Sequence, residues 1–218
     1  LIKRGEAMLK EIAAGDLVTA RIAVEKGVDR IELNQQLELG GLTPSRITWQ
    51  AVLKLGRPVV VMVRPRGGDF NYSNDEVIEM ERTLIALKND GIKIVTFGVL
   101  TAQKQLDTIV MERLIKVASP MRVVMHMAFD SIPLDHQAAA INWLSQHQVE
   151  RILTHGGPLN QPIEQSLKQI KITIEQAQGK IEILPGGGIN YQNYEQIARQ
   201  LGVEQVHGSQ IIKLNVVE

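Results

Sequence analysis

Ionisable side chains interrupt the apolar runs of this sequence at recurring points. Glu32 and Asn34 fall at the end of Arg30-Ile31-Glu32-Leu33. Arg64 follows Val59 to Val63 and opens the turn Arg64-Pro65-Arg66-Gly67-Gly68-Asp69. His126 lies between Met125 and Met127, with Asp130 just beyond. Burying such groups is costly unless they meet one another or a ligand. Two arginines in a glycine-rich turn present planar forks to a carboxylate or phosphate, and Arg64 and Arg66 share strand parity, so both face one way if the chain stays extended through Pro65. Gly186-Gly187-Gly188 and His207-Gly208-Ser209 free backbone amides that suit an anion. The candidate anion-binding set is therefore Arg64, Arg66, Gly186, Gly187, Gly188, Gly208 and Ser209. The candidate catalytic set is Glu32, His126 and Asp130, with Asp130 placed to orient the imidazole for moving protons. The same charges also fit a structural ion-pair network.

What must position these groups is legible from the helix ends. Amphipathic segments stop at Gly27, Gly56, Gly91, Gly179 and Gly202, and a β-rich run follows each almost at once. Glycine suits that position because the residue past a helix end often takes positive φ. Thr43-Pro44 predicts a helix start, Ser73 with Glu76 predicts a capping box, and Asn190 predicts a cap before 191–201. With Leu9 to Ala13 the strand candidates number eight, including 122–129, 151–154, 181–184 and 205–207. Short buried strands alternating with helices predict a parallel sheet wrapped by helices. A (β/α)₈ TIM barrel over 9–218 uses the chain without remainder, with the last helix short or missing and residues 1–8 an N-terminal extension. A doubly wound open sheet is disfavoured, because Ala14-Gly15-Asp16 is no dinucleotide-binding turn. In a barrel the strand C-termini carry the site, and these polar groups fall there.

The 218 residues carry 24 basic and 24 acidic side chains and no cysteine. Balanced charge gives no reason to expect nucleic acid or an anionic membrane as partner. Absence of cysteine excludes disulfides and thiolate metal sites and makes the reducing cytoplasm the expected compartment. No run is apolar enough to span a bilayer. Trp49 and Trp143 fall in helical segments, where they pack in the core or against a second subunit, so a homodimer stays open.

Several segments together resemble the copper homeostasis protein CutC family. They are Asp29 to Leu33, Gly40 to Ser45, Met62 to Phe70, Phe97 to Thr101, His126 to Asp130, Arg151 to Gly157, Pro185 to Gly188 and His207 to Ser209. They run in the family's order over nearly the whole chain. The resemblance implies a (β/α)₈ barrel, a cytoplasmic setting and a role in copper handling with copper ion binding. Two positions depart from the family: Asn34 stands where members usually carry cysteine, and Met127 where many carry arginine. For copper, which favours soft ligands, Met62 with His126 is the best remaining pair, since a regular strand would send Met125 and Met127 to the opposite face from His126. Three readings stay open: a copper-homeostasis protein, a barrel enzyme acting on a small anionic or phosphorylated metabolite, and a non-catalytic binding barrel.

Overall fold

The computed structural model describes residues 8–213. Its elements alternate strictly: β1 (Leu9–Ala14), α1 (Leu17–Glu25), β2 (Arg30–Leu33), α2 (Arg46–Leu53), β3 (Val59–Met62), α3 (Asn74–Asn89), β4 (Ile94–Phe97) and α4 (Thr108–Ala118). There follow β5 (Arg122–Met125), α5 (Leu134–Gln146), β6 (Arg151–Thr154), α6 (Ile163–Ala177), β7 (Glu182–Pro185), α7 (Tyr194–Leu201) and β8 (Gln205–Gly208). The strands are parallel in the order β7-β6-β5-β4-β3-β2-β1-β8. Between β7 and β8 the ring is closed by packing and by a bridge of Asn190 with Gln210 just past the strands. This is the expected eight-stranded barrel, nearly closed.

Strand alternation sorts the side chains into two populations. Ile31, Leu33, Val61 and Val63 join the main core between strands and helices, whereas Val60, Ile94 and Val124 form a separate cluster inside the barrel. The neighbours of the outward residues, including Arg30, Glu32 and Met62, therefore belong to the barrel interior. The helix-ending glycines behave as expected: Gly27 and Gly202 have φ of 79° and 70°, and an added Cβ at either would meet nothing, so backbone conformation alone requires glycine.

Three local expectations shift. The strand expected over 122–129 stops at Met125, because His126 caps a 3₁₀ turn over Met127–Ser131 by accepting the Ala128 amide at Nδ1. Helix α2 starts at Arg46 with Ser45 as its cap, because the Thr43 hydroxyl is engaged instead by the Arg64 backbone, at 2.8 Å from its amide and 3.0 Å from its carbonyl. Helix α7 starts at Tyr194, since the Asn190 side chain accepts the Gln192 amide in a preceding turn. The Ser73–Glu76 capping box forms as expected. Residues Ile211–Lys213 form no helix. The expected N-terminal extension falls almost wholly, and the rest of the last segment entirely, outside the described residues.

Candidate functional site

A cavity of about 190 Å³ opens at the C-terminal ends of the strands. Glu32 and Asn34 reach it from β2, Met62 and Arg64 from β3, His126 and Met127 from the end of β5, and His207 from β8; Gly187, Gly188, Gly208 and Ser209 complete one wall.

Arg64 is buried, yet among the described residues no carboxylate lies within salt-bridge distance of its guanidinium. Backbone carbonyls hold it instead. One terminal nitrogen donates to Leu39 at 2.9 Å and Gly41 at 3.2 Å, and the other donates to Gly68 at 2.9 Å. The Phe70 ring lies 4.8 Å from its central carbon, a cation–π contact. Gly40 permits this cage, because its φ is 83° and a Cβ there would come 2.9 Å from the guanidinium. Carbonyl dipoles fix the group without cancelling its charge, and Nε is left with no partner.

His126 stands beside it. Burial first, then the Arg64 charge, push its pKa down to about 3, so the ring is neutral near pH 7. Because Nδ1 accepts the Ala128 amide, the proton sits on Nε2. That N–H is buried with no partner. Two buried donors, Arg64 Nε and His126 Nε2, thus belong to residues lining one cavity.

Deeper in the barrel the strand register builds a charged string. Glu11 of β1 lies directly beside Arg30 of β2 and His207 of β8, and bonds to both, with Nδ1 of His207 at 2.8 Å. Burial works against the Glu11 carboxylate, but the His207 bond and the Arg30 charge hold its pKa down at about 2. Nε2 of His207 faces Glu32 Oε2 at 3.8 Å, and Glu32 is also held by Asn34 Nδ2 at 3.0 Å. Burial alone would lower the His207 pKa; Glu32 and Glu11 more than reverse this, so it is raised. Burial raises the Glu32 pKa, with Glu11 adding and His207 opposing. Glu11, Glu32 and His207 also form a three-ligand cluster whose donor atoms lie within 4.8 Å of one another. Most of their ligand capacity is already spent on Arg30, Asn34 and each other.

Of the sequence candidates, the structure brings together Glu32, Arg64, His126, Met62, Gly187, Gly188, Gly208 and Ser209. Arg66 points elsewhere: it pairs with Glu76 at 2.5 Å and Asp69 at 3.0 Å and stacks on Tyr72, because the strand ends before Pro65 and parity is lost. Asp130 does not orient His126. It accepts the Thr154 hydroxyl and the amides of His155 and Gly156, clipping the loop after β6 beside an adjoining groove. Gly186 donates its amide to Thr154 and is packed against Leu153 and Met127. Gly208 is glycine because a Cβ would collide with the Ile189 carbonyl. Among the described residues the amides of Gly187, Gly188 and Ser209 have no protein acceptor. Glu11, His207 and Met127 were not selected from sequence. Glu11 and His207 were visible as polar residues at strand parity, but only the β8–β1 register shows that they touch. Met127 reaches the cavity because the strand ends two residues earlier.

The model of the CutC family matches residues 8–212. A family protein CutC from Enterococcus faecalis is 39% identical over 209 residues, covering 94% of this chain and all of the relative. A human protein named copper homeostasis protein cutC homolog is 37% identical, over 92% of this chain and 72% of its own length. A solved CutC structure from Streptococcus agalactiae superposes with a TM-score of 0.90 at 34% identity, over 94% of this chain and all of that one.

Proposed function

This chain belongs to the CutC family, and from that premise we propose that it serves the copper-homeostasis role named in its relatives through a barrel-mouth pocket whose ligand is a small organic or phosphorylated anion. One observation carries this reading: among the described residues Arg64 is a buried cation with no carboxylate partner, and it lines the same cavity as His126, each of the two residues keeping one unpartnered donor. A bound anion would supply the missing counter-charge and both missing acceptors, and the amides of Gly187, Gly188 and Ser209 would add neutral donors.

Copper itself is the weaker candidate ligand. Met62, Met127 and His126 line the cavity, so two thioethers and an imidazole are at hand. The two thioethers are soft donors that suit Cu(I), but the chain has no thiolate, and His126 presents a protonated Nε2 while its Nδ1 lone pair caps the 3₁₀ turn. Among the described residues no helix is long and apolar enough to cross a membrane.

Calorimetric titration with malonate, phosphoglycolate and inorganic phosphate tests the reading, alongside Cu(I) titration against a competing chelator. Saturable binding of at least one anion is expected, weakened by about 10-fold or more in Arg64→Met, given that hydrogen bonds to charged groups contribute about 1.5–3 kcal/mol. Cu(I) is expected to bind no tighter than micromolar. Tight Cu(I) binding lost in Met62→Leu, with no anion bound, would replace this reading with direct metal binding.

A further inference from the structure

The anion-binding reading accounts for Arg64 and His126 and leaves two other ionisable residues of the cavity lining without a task. These are Glu32 and His207, which face one another at 3.8 Å, beyond direct hydrogen-bond reach. Their surroundings differ from those of an ordinary buried ion pair. Glu11 takes Nδ1 of His207 at 2.8 Å and is itself braced by Arg30, which fixes the ring and directs Nε2 toward Glu32. Asn34 holds Glu32 from the other side. A carboxylate-oriented imidazole facing a second carboxylate, with both residues lining one cavity, has the parts of an acid–base pair.

Building on that anion site, we propose that the pocket catalyses proton transfer at the carbon next to the carbonyl of a small 2-oxo acid, with Glu32 as base and the His207 imidazolium as acid. The substrate carboxylate sits at Arg64 and His126. Glu32 removes a proton from C3, the C–H electron pair moves through C2 onto the carbonyl oxygen as an enolate, and Nε2–H of His207 bonds to that oxygen. The proton on Glu32 exchanges with solvent, and return of a proton (a deuteron in D₂O) from Glu32 to C3 restores the 2-oxo acid, so the step needs no oxidant, reductant or second substrate. Glu11 is a positioning residue: it touches His207 and does not line the cavity. Raised pKa values at both Glu32 and His207 agree with these roles, since they bring the carboxylate closer to a useful base and keep the imidazole charged.

The experiment is proton NMR of 2-oxobutyrate in D₂O, following loss of the C3 signal with wild type, Glu32→Gln and His207→Asn, with binding of 2-oxobutyrate measured in parallel. Wild type is expected to speed exchange over buffer by about 100-fold or more, the usual reach of one positioned acid–base group. Each variant is expected to lose at least tenfold of that rate while still binding 2-oxobutyrate. If His207→Asn does not fold, Glu32→Gln decides alone. Exchange at the buffer rate with 2-oxobutyrate bound, or rates unchanged in folded variants, overturns the inference and leaves anion binding standing. Failure of 2-oxobutyrate to bind while malonate or phosphate does also overturns it alone. Failure of every anion to bind overturns both readings.

Discussion

The two ends of the polar column inside this barrel treat charge in opposite ways. At the deep end Arg30 meets Glu11, and Arg151 lies among Glu150 and Glu182, so each cation has a carboxylate within the protein. At the mouth Arg64 is buried as thoroughly, yet among the described residues no carboxylate pairs with it; carbonyl dipoles and the Phe70 ring hold it, with Tyr72 close by. The deep end is paired in charge as folded, although two Arg151 nitrogens have no hydrogen-bond partner. The mouth keeps an uncancelled positive charge in a residue that lines a cavity. A buried charge without a counter-ion is costly, and the site that retains one is the site that gains most when an anion arrives.

Substitutions at the two ends should therefore separate stability from binding. The largest effect is expected for Glu11→Gln, which strips Arg30 and His207 of their shared carboxylate. Breaking a buried pair from one side costs about 3–5 kcal/mol, or roughly 10 °C in Tm for a domain of this size, and no anion should restore it. Differential scanning calorimetry with and without malonate checks this; a Tm within 2 °C of wild type, taken as roughly the shift from 1 kcal/mol, would erase the contrast.

Acid should distinguish the ends by where stability is lost. The His126 pKa is lowered to about 3, so its unfolded form takes up a proton first, and stability present above about pH 6.5 is lost as pH falls toward 3. Glu11 is lowered to about 2, so its contribution is present above about pH 4.5 and is lost as pH falls from there toward 2. The first leg is on the order of 5 kcal/mol and the second on the order of 3 kcal/mol. Urea titrations from pH 7 to 3 should show the first leg flattened in His126→Asn, which can still cap the 3₁₀ turn. An unchanged slope between pH 6.5 and 4.5 would contradict a buried neutral His126.

Arg66→Ala gives the smallest expected effect and the sharpest control for Arg64. Its partially exposed pairs with Glu76 and Asp69 are worth about 1 kcal/mol or less, and malonate affinity should not change. A loss of affinity matching that of Arg64→Met would return Arg66 to the site.

The contrast between mouth and floor was only partly legible in the sequence. Helix-ending glycines and β-branched runs carry local backbone preferences, so the barrel and the alternation of its strands and helices could be read directly. Glu32, Arg64 and His126 were readable because charge stands out in an apolar strand. Contacts set by register were not: that Glu11 touches His207 depends on β8 returning beside β1, across 196 positions of chain. Arg66 and Asp130 were placed by extending strand parity past the point where the strand ends. A proline and a side-chain cap at His126 ended the strands early, turning Arg66 outward and Met127 inward.

The central claim is that the two free donors at the mouth take one anion together. The most direct measurement is a ¹⁵N–¹H NMR titration of malonate, following Arg64 Nε–H and His126 Nε2–H. Both signals are expected to move downfield on a single saturation curve, with the Arg66 Nε–H unmoved. Shifts confined to Arg66 or surface amides, or two donors titrating with unrelated affinities, would contradict a shared anion site.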